Sequence, residues 1–496
     1  MTPVAALIAG LESRGILLSL ASEELRYRSP KDALTGTDRE ALRDNRAAIL
    51  EYLKTRAAAR ALKAAGATQG PLTPSIAQEM WWRFAGGAEE GKPVVLNIPM
   101  VGKFAHNAAA VTAAIHQVIA RYDALRARFE SDGERLTAFL NPAGSFEVEQ
   151  EEADPDAAAQ GSQQFCSRLN AIEGTWLTRA KVFALPGGES LAAISSAHMI
   201  ADAGTRNIVL DEIHTILDGG APAPSMLYND YSLAERACLA GPQGDQLINH
   251  WRDWYRSQPG MKAPTTGAPL LWGNGVRVVR NFTMPGRVRD KVVSFAEAMK
   301  VTPFLVYLTI FAIAMARWAG MERFPLRVLG DKRTSLDLSN TVGLMFCADA
   351  VAIHVPARAD FETVLRGILA EYDASLATRI PSLHFWAPHA VRPGIEPREH
   401  ENKIPAVFNY YSVGTARENA QKRATPEPSA ALPWPPEVSS VAQTWPRRSS
   451  PLFLHVMDMG HDVQMSLHFF QGVVSPAEQD SFAALLFQVF AETVPA

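Results

Sequence analysis

An alanine-rich stretch that ends in glycine and proline divides this chain into a short part and a long part. Residues 54–71 read KTRAAARALKAAGATQGP. This composition is typical of a helix tail followed by a linker, because glycine and proline interrupt regular structure. We therefore expect a small module over 1–60, a linker over 61–71 and larger α/β structure from residue 72 onward.

Length, charge and cysteine content exclude several classes of protein. The 496 residues allow two to four domains at roughly 100–200 residues each. The net charge of −4 and the lack of a Lys/Arg-rich run argue against a nucleic-acid-binding protein, which usually has a basic face. Three widely spaced cysteines favour neither a disulfide framework nor a zinc site.

Two apolar segments bear on the cellular location. The N-terminal MTPVAALIAGLESRG lacks a basic start and contains Glu12 and Arg14, which makes it a poor signal peptide. The stretch over 302–320 has about 15 apolar residues, fewer than the ~20 that span a bilayer, so we predict a buried core helix there. Sparse cysteines are typical of a reducing compartment, and we expect a cytoplasmic protein.

The first sixty residues predict the order helix, hairpin, helix. The first helix follows from four apolar residues at helical spacing, Val4, Leu7, Ile8 and Leu11. Two short runs, 16–20 and 25–28, flank ASEE and predict a hairpin with a four-residue loop. TDRE over 37–40 has the spacing of a capping box. The helix that it begins carries three residues on one face, Leu42, Ile49 and Leu53.

The hairpin leaves two strand edges, and an exposed edge is able to pair with an extended peptide. Residues 1–60 hold ten Lys/Arg and eight Asp/Glu, a net charge of +2. Three cations lie on or just after the second strand, Arg26, Arg28 and Lys31. They form either a solvated strand face or a cationic edge for an acidic peptide, and the charges alone leave both interpretations open.

Beyond residue 72 the pattern is mixed α/β. The alternation in 451–471 predicts two strands joined near Met459–Asp462, followed by an amphipathic helix over 476–493. Residues 414–447 are rich in Pro, Ala and Ser, and we expect a long irregular loop there.

The segment SSAHMIADAG over 195–204 holds a candidate acid–base site. The apolar run 190–200 predicts a buried strand, followed by a turn at 201–204. Histidine has an ordinary pKa of about 6.5, so His198 is able to accept a proton near pH 7. The spacing of four residues does not establish a contact between Asp202 and His198. Asp202 could instead pair with a distant arginine. A structural histidine and a structural aspartate remain the alternative.

Two families resemble this chain. Residues 1–58, with LLSLASEELRYRSPKDAL between two helices, resemble the N-terminal β-hairpin docking domains of nonribosomal peptide synthetases. The order of several segments from residue 72 to about 490 resembles the condensation domains of the same enzymes. These segments are LTPSIAQEMWW (72–82), RYDALRARF (121–129), AHMIADA (197–203), YNDYSLA (228–234) and NTVGLMFCADAV (340–351).

The resemblance implies a fold and a domain division. Condensation domains are α/β (α+β) proteins with two chloramphenicol-acetyltransferase-like lobes in a V arrangement, and their active-site tunnel lies between the lobes. It implies an N-terminal lobe over 72–240 and a C-terminal lobe over 241–496. The docking resemblance implies that 1–60 captures a short linear motif of a partner carrier protein, with partner-binding residues Leu17, Ser19, Leu25, Arg26, Arg28 and Lys31.

The family pattern His-His-x-x-x-Asp-Gly implies a role for each matching residue. His198 matches the second histidine, which is assigned the catalytic role, and Asp202 matches the acid that braces the loop through an arginine. Arg333, in LGDKRTSLD, is the expected partner of that acid, with a surface position as the alternative. Asn409 matches a polar tunnel residue or a structural strand asparagine. Ala197 and Ala203 depart from the pattern, and Gly204 is placed to take over from the missing glycine.

The implied function is an acyltransferase that joins a carrier-bound acyl thioester to a hydroxyl or amine and releases the chain as an ester or amide. The chain itself is expected to bind no cofactor or metal, because a 4'-phosphopantetheine arm belongs to the acyl or peptidyl carrier protein. The expected partners are that carrier and a small alcohol or amine, with no nucleic acid and no membrane. Because no further domain follows on this chain, we expect a stand-alone condensation protein.

Two alternatives remain. One is amide formation with an aminoacyl group on a second carrier. The other is a non-catalytic module that recruits carrier or tailoring partners, which Ala197 and Ala203 motivate. The chain has no Walker-type loop, no His-Glu-x-x-His and no nucleophile-elbow glycines, which argues against the corresponding enzyme classes.

Overall fold

A computed structural model gives the fold of most of the chain. The described residues are 7, 11, 17–21, 24–28, 34–50, 72–84, 94–132, 135–168, 170–171, 176–259, 275–333, 338–377, 406–412, 436, 438–445 and 452–493. The predicted linker over 61–71 lies outside them. Both helices and sheets are present, which confirms the predicted mixed α/β class.

The described chain divides into two compact units that are each discontinuous in sequence. Met1–Pro74, Pro93–Leu233 and Asp331–Met345 form unit 1. Ser75–Lys92, Ala234–Gly330 and Phe346–Ala496 form unit 2. The lobe ranges that the resemblance implies, 72–240 and 241–496, and the separate domain over 1–60 stay predictions.

A small hairpin-and-helix core forms near the N-terminus. Strands β1 (Leu17–Ala21) and β2 (Glu24–Arg28) pair antiparallel, with Ala21 opposite Glu24. Each strand therefore extends one residue into the predicted four-residue loop. Leu7 and Leu11 are helical, in agreement with the predicted first helix. The core residues are Leu11, Leu18, Leu42 and Ile49, with Leu7, Leu25 and Leu34 packed against them.

The capping box of the next helix lies two residues earlier than predicted. Helix α1 (Gly36–Asp44) begins after Thr35, whose hydroxyl accepts from the Asp38 N–H at 3.2 Å. The Asp38 carboxylate in turn accepts from the Thr35 N–H at 2.8 Å. The assignment of the cap to Thr37 is therefore wrong, because the sequence offers two threonines with an acid three residues later and the chain uses the first.

The predicted docking residues are described only in part. Backbone register places Leu17 opposite Arg28 and Ser19 opposite Arg26. Leu25 packs against the small core. Lys31 and Leu53 lie outside the described residues. The assignment of these residues to partner binding stays a prediction.

Unit 1 is built around a four-stranded sheet in the order β4-β10-β9-β7. Its strands and helices, with two short antiparallel pairs β3–β8 and β5–β6, are β3 (Val94–Val95), β4 (Asn97–Phe104), α3 (Ala108–Arg121), β5 (Ala127–Ser131), β6 (Leu136–Leu140), β7 (Val148–Glu152), α4 (Pro155–Ser167), β8 (Asn170–Ala171), β9 (Thr178–Ala184), β10 (Ser190–Ala197) and α5 (Ala203–Leu217). Helix α2 (Ile76–Phe84) belongs to unit 2, and α6 (Tyr228–Ala240) contains the boundary between the units.

Both faces of this sheet are covered by helices. Residues of α3 and α5, including Ile115 and Val209, pack with Val182 and Ile194 on one face. Phe165 of α4 packs on the other face. A strand buried on both faces is an almost continuous apolar run, which explains the sequence of β10. The strand predicted from the run 190–200 is present, but it ends at Ala197.

Strand β7 lies at one edge of the four-stranded sheet and runs parallel to β9. Its sequence is VEQEE, and its last four residues are exposed. Lys181 of β9 pairs with Glu151 at 2.6 Å and stands 3.8 Å from Glu149. The edge therefore carries several exposed carboxylates, and the mostly buried Lys181 lies beside two of them.

In the described part of unit 2, seven strands form one sheet in the order β13-β12-β14-β16-β17-β11-β15. The remaining elements, in chain order, are α7 (Pro242–Ser257), β11 (Gly275–Met284), α8 (Gly286–Met299), α9 (Pro303–Ala319), β12 (Arg323–Asp331), β13 (Phe346–His354), α10 (Phe361–Ala377), β14 (Ala406–Ser412), β15 (Ser439–Trp445), β16 (Leu452–Asp458), β17 (Val463–Phe470) and α11 (Pro476–Thr493). The tail strands and the last helix are where the sequence predicts them.

One face of the seven-stranded sheet packs on α8, α9, α10 and α11 in a large apolar core. Helix α9 lies at its centre, with residues 305–316 all buried, as expected for a core helix. Among the described helices, no single one is long and apolar enough to cross a membrane. Helices α8 and α9 pass that length and composition test only as a pair, and they meet at 104°.

Strand β15 corrects the loop predicted over 414–447. Ser439–Trp445 pairs antiparallel with β11 at the edge of the sheet. The surrounding Pro- and Ser-rich sequence hides this strand, because its pairing partner lies more than 150 residues earlier in the chain. Residues 414–435 lie outside the described part.

Candidate active site

His198 lies directly after the buried strand β10. Its N–H donates to the Leu96 carbonyl at 2.6 Å, and the Ile200 N–H donates to the Ala197 carbonyl at 2.9 Å. The second bond closes a turn over 198–200, whereas the sequence predicted the turn at 201–204. The later position is wrong because Ala203 already begins helix α5.

The imidazole of His198 is half-buried, and a backbone contact orients it. Its Nδ1 lies 2.9 Å from the Ala201 carbonyl oxygen. Since a carbonyl oxygen only accepts, Nδ1 carries the proton in the neutral ring and Nε2 carries the lone pair. Burial lowers the pKa of His198 below its ordinary 6.5, against the opposing effect of Asp202. The ring is therefore neutral at pH 7 and able to accept a proton.

Asp202 caps helix α5 and is almost fully buried, at 5% exposure. Its Oδ1 accepts from the Thr205 N–H at 2.8 Å, and its Oδ2 accepts from the Met345 N–H at 2.7 Å. A carboxylate at a helix N-terminus satisfies an N–H group that has no partner within the helix. Asp202 thus ties the start of α5 to the segment that ends at Met345.

Arg333 forms the bidentate ion pair with Asp202 that the resemblance implied. The distances are 2.8 Å from Nη2 to Oδ1 and 3.1 Å from Nη1 to Oδ2. The two side chains are each 6% exposed, so the surface alternative for Arg333 is wrong. Arg333 Nε also donates to the Thr341 carbonyl at 2.7 Å, and Asp331 accepts from Nη1 at 3.1 Å.

The charges of this pair stabilise one another. Burial alone raises the pKa of Asp202, but the Arg333 guanidinium and the hydrogen bonds to the carboxylate outweigh it and lower the pKa below 3.8. Burial likewise opposes the charged form of Arg333, and the two nearby carboxylates raise its pKa above the ordinary value. Both groups are ionised throughout the physiological range, so the bracing does not depend on pH there.

Gly204, not residue 203, supplies the close approach that this site needs. A Cβ built on Gly204 would lie 2.3 Å from Arg333 Nη1 and 2.9 Å from Asp331 Oδ2. Ala203 is the first residue of α5 and has no positive φ, so its methyl group costs the backbone nothing. The replacement of the family glycine by Ala203 therefore leaves the required gap intact one residue later.

Thr205 and Gly343 connect the same helix to the loop after Arg333. The Thr205 hydroxyl donates to the Gly343 carbonyl at 2.8 Å and accepts from the Gly343 N–H at 3.0 Å. Gly343 has a φ of 151°, and a Cβ there would stand 2.0 Å from Cδ2 of Tyr228. Only glycine therefore fits at this position.

Tyr228 is in turn held by Asp123. The Asp123 carboxylate accepts from the Tyr228 N–H at 2.9 Å and from the Asn229 N–H at 2.8 Å. The Tyr228 hydroxyl donates to the Leu344 carbonyl at 3.0 Å. The segments RYDALRARF and YNDYSLA thus meet through a buried helix cap, which gives both a structural role in unit 1.

Asn409 lies in unit 2, on β14. Its Nδ2 stands 3.1 Å from Nδ1 of His455, which is the directly opposite residue on β16. Burial, then the nearby His468 and Arg277, lower the pKa of His455 well below 6.5. Asn409 therefore has a neutral histidine as its partner, and its assignment to a substrate tunnel stays a prediction.

Sequence signals for the remaining residues differ. Gly343 lies in NTVGLMFCADAV, and a glycine inside a segment that carries a family resemblance is a signal for close approach. Thr205 and His455 have no local signal, because their partners are 138 and 46 residues away in the chain. Among the described residues, no group of three or more His, Cys, Asp or Glu is arranged to hold a metal ion.

Family models match both parts of the chain. The condensation domain model matches residues 70–376, and the TubC N-terminal docking domain model matches residues 4–55. The chain is 23% identical over 306 residues to phosphinothricin tripeptide synthetase PhsC of Streptomyces viridochromogenes. This alignment covers 58% of this chain and 28% of that protein. The chain thus spans less than a third of that relative.

Two solved structures match along nearly the whole chain. One comes from work on condensation domain-mediated chain release from the enacyloxin polyketide synthase. Its sequence is 32% identical to this chain, and the two structures superpose with a TM-score of 0.77 over 100% of this chain and 97% of that one. The other is the cyclization-docking bidomain of EpoB from Sorangium cellulosum, at 16% identity, a TM-score of 0.60 and 98% coverage of both chains. At that identity the second shows the fold alone.

Proposed function

Because the chain belongs to the condensation domain family and carries a TubC-type docking domain at its N-terminus, we propose that it is a chain-releasing acyltransferase. It takes an acyl group held as a thioester on a partner carrier protein and transfers it to a hydroxyl or amine of a free acceptor. The similarity over both domains to the chain-release condensation domain of the enacyloxin system supports release as the outcome.

The observation that carries this proposal is the orientation of His198. Its Nδ1–H donates to Ala201, and burial keeps the ring neutral, so Nε2 is the basic atom. As the acceptor oxygen or nitrogen bonds to the thioester carbonyl carbon, His198 takes its proton. The C–S bond then breaks, and the proton passes to the sulfur that leaves with the carrier. General-base catalysis of this kind is typically worth about 10²–10⁴ in rate.

Asp202 and Arg333 act as positioning residues. Their buried ion pair fixes the start of α5, which follows the His198 turn by only a few residues. Ala197 is fully buried in β10 and donates its N–H to the Leu177 carbonyl, so the residue in place of the first family histidine belongs to the core. The departures at Ala197 and Ala203 therefore leave the proposed base and its support in place.

The acyl donor is expected to arrive on a 4'-phosphopantetheine arm, which is part of the substrate. The described part of the docking module includes the two-stranded sheet β1–β2, on which Tyr27 is 53% exposed. We propose that a short linear motif of the carrier binds there. Deletion of residues 1–60 then weakens capture of the carrier and leaves turnover of a small soluble thioester unchanged; equal loss on both substrates contradicts this role.

The proposed reaction is tested by incubating acyl-loaded carrier with panels of small alcohols and amines and following the carrier and the released product by mass spectrometry. Release as an ester, an amide or both identifies the acceptor class. Wild-type protein that binds loaded carrier but releases nothing with any acceptor supports a recruitment module and rejects the acyltransferase. Release that is equally fast with His198→Ala rejects His198 as the base.

A further inference from the structure

A row of uncharged polar side chains crosses five strands of the unit 2 sheet. Register places Asn409 opposite His455, His455 opposite Ser466, Ser466 opposite Asn281, and Asn281 opposite Ser439. Directly opposed residues share a face of the sheet, and neighbouring strands are 4.7–4.9 Å apart, so the row is about 19 Å long. It lies on the face opposite the helices, since alternate residues such as Phe408 and Leu454 fill the apolar core.

Part of this row forms the floor of a pocket of about 430 Å³. Asn281, Ser439 and Ser466 contribute from the row, and Thr283, Met457 and Gln464 contribute from the next position along the strands. The other lining residues are Phe282, Pro436, Val438 and Met465. Small-molecule sites typically have volumes of about 300–1,000 Å³, so this pocket has room for a substrate group.

The described part of the lining combines polar and apolar side chains and carries no charge. None of the ten described residues that line the pocket is ionisable. An ionised ligand group would gain no counter-ion from these ten residues in return for the water that it gives up. The described lining therefore favours an uncharged group over a carboxylate, a phosphate or an ammonium group.

The lining also selects against a purely apolar ligand. Five of its side chains are able to donate or accept hydrogen bonds: Asn281, Thr283, Ser439, Gln464 and Ser466. The Ser466 hydroxyl donates to Asn281 Oδ1 at 2.7 Å. This bond occupies the amide oxygen and leaves the Asn281 NH₂ group to donate to a ligand. An apolar ligand would displace water from these groups and replace none of its hydrogen bonds.

We propose that this pocket binds an uncharged, hydroxyl-bearing segment of a substrate of the release reaction. The proposal rests on the proposed function for the identity of the substrates. The side-chain hydroxyls and amides pair with ligand hydroxyl groups, while Met457, Val438 and Pro436 contact the carbon skeleton between them. Such a segment has two possible sources, the acyl chain of the donor or the acceptor alcohol.

Direct binding to the full-length protein tests the proposal without turnover, because each ligand is added alone. The donor arm compares N-acetylcysteamine thioesters of 3-hydroxyhexanoate, hexanoate and the charged adipate. The acceptor arm compares 1,2-hexanediol with 1-hexanol. Dissociation constants are measured by calorimetry or by ligand-observed NMR.

In one arm, the hydroxylated ligand is expected to bind the wild type about tenfold more tightly than its deoxy counterpart. Asn281→Leu, which removes the amide at similar volume, is expected to abolish this preference. Gln488→Leu, the same type of change on an exposed residue of α11, is expected to leave it unchanged. The adipate thioester is expected to bind more weakly than the hexanoate thioester.

The proposal is overturned if the wild type shows no preference for the hydroxylated ligand in either arm, or if that preference survives in Asn281→Leu. Tighter binding of the adipate thioester than of the hexanoate thioester also overturns it. If Asn281→Leu fails to fold, Gln464→Leu decides, because Gln464 is exposed and its loss is expected to weaken the preference about threefold; an unchanged preference then overturns the proposal. A binding preference in a protein that releases no product would instead reject the proposed function and leave the pocket assignment standing.

Discussion

Arg333 occupies the space that a side chain at Gly204 would need: a Cβ there would lie 2.3 Å from Nη1 of the guanidinium. The glycine is therefore required by its neighbour and not by its own backbone angle. This relationship explains how a site with alanine at position 203 keeps its ion pair. It also makes Gly204 a sensitive point at which to disturb the site without removing a charged group.

Gly204→Ala is expected to lower the free energy of unfolding by about 1–3 kcal/mol, because the new methyl group displaces the buried guanidinium. Gly367→Ala is the matched control, since Gly367 lies in helix α10 and nothing stands within 4 Å of its Cβ position. That change is expected to raise the stability by up to about 1 kcal/mol, as alanine favours helix. Urea unfolding monitored by circular dichroism compares the two, and equal effects would contradict the close-approach role.

Arg333→Met is expected to cost about 3–5 kcal/mol of stability, because it leaves Asp202 buried and charged without its partner. The double variant Asp202→Asn with Arg333→Met is expected to recover part of that loss, since no buried charge remains. Arg333→Lys is expected to fall between the wild type and Arg333→Met, because lysine does not reproduce the bidentate contact. Denaturant unfolding of the three variants checks the order, and a double variant less stable than Arg333→Met would contradict it.

His198→Ala is expected to slow release by about 10²–10⁴-fold with little change in KM for a small soluble thioester. The wild-type rate is expected to rise with pH and level off, with a midpoint below 6.5, because burial lowers the pKa of His198 and the neutral form is the active one. The pH dependence of kcat/KM between pH 4.5 and 8 measures the midpoint. His250→Gln, at an exposed position of α7, is the control that should change neither quantity.

Acid stability of unit 2 is expected to depend on His468. Burial, and then the charge of Arg277, lower the pKa of this histidine to about 4, while the unfolded chain keeps the ordinary 6.5. The folded state is favoured fully above pH 6.5, and this contribution is lost as the pH falls toward 4, by about 3 kcal/mol in all. His468→Phe is expected to remove that part of the acid sensitivity. Urea midpoints at pH 7.5 and 4.5 test this, with His250→Phe as the control that retains the wild-type difference.

Local sequence patterns predicted the helices and strands whose own hydrophobic pattern indicates their conformation. The apolar run of β10, the alternation of β16 and β17 and the central helix α9 all carry their burial in their periodicity. The short edge strand β15 does not, since its conformation depends on pairing with β11. The same limit applies to the helix cap, where Thr35 and Thr37 present the same signal and packing chooses between them.

The candidate site was predictable to the extent that a family pattern names its residues. Asp202 and Arg333 are 131 residues apart, and no local rule connects them. The contact of Gly343 with Tyr228 and the polar row from Asn409 to Ser439 depend on the register of strands and loops that are distant in the chain. That register is decided by the whole core, and it appears only in three dimensions.

The carboxylates of β7 have a consequence for the protein at high concentration. A free sheet edge is a template on which a strand of another molecule is able to add, and charged side chains on the edge prevent this. The VEQEE sequence places glutamates along an edge of the four-stranded sheet in the described part of the chain, and Lys181 is the cation that lies near Glu149 and Glu151. We therefore expect electrostatic repulsion between copies to disfavour strand addition along this edge at high protein concentration.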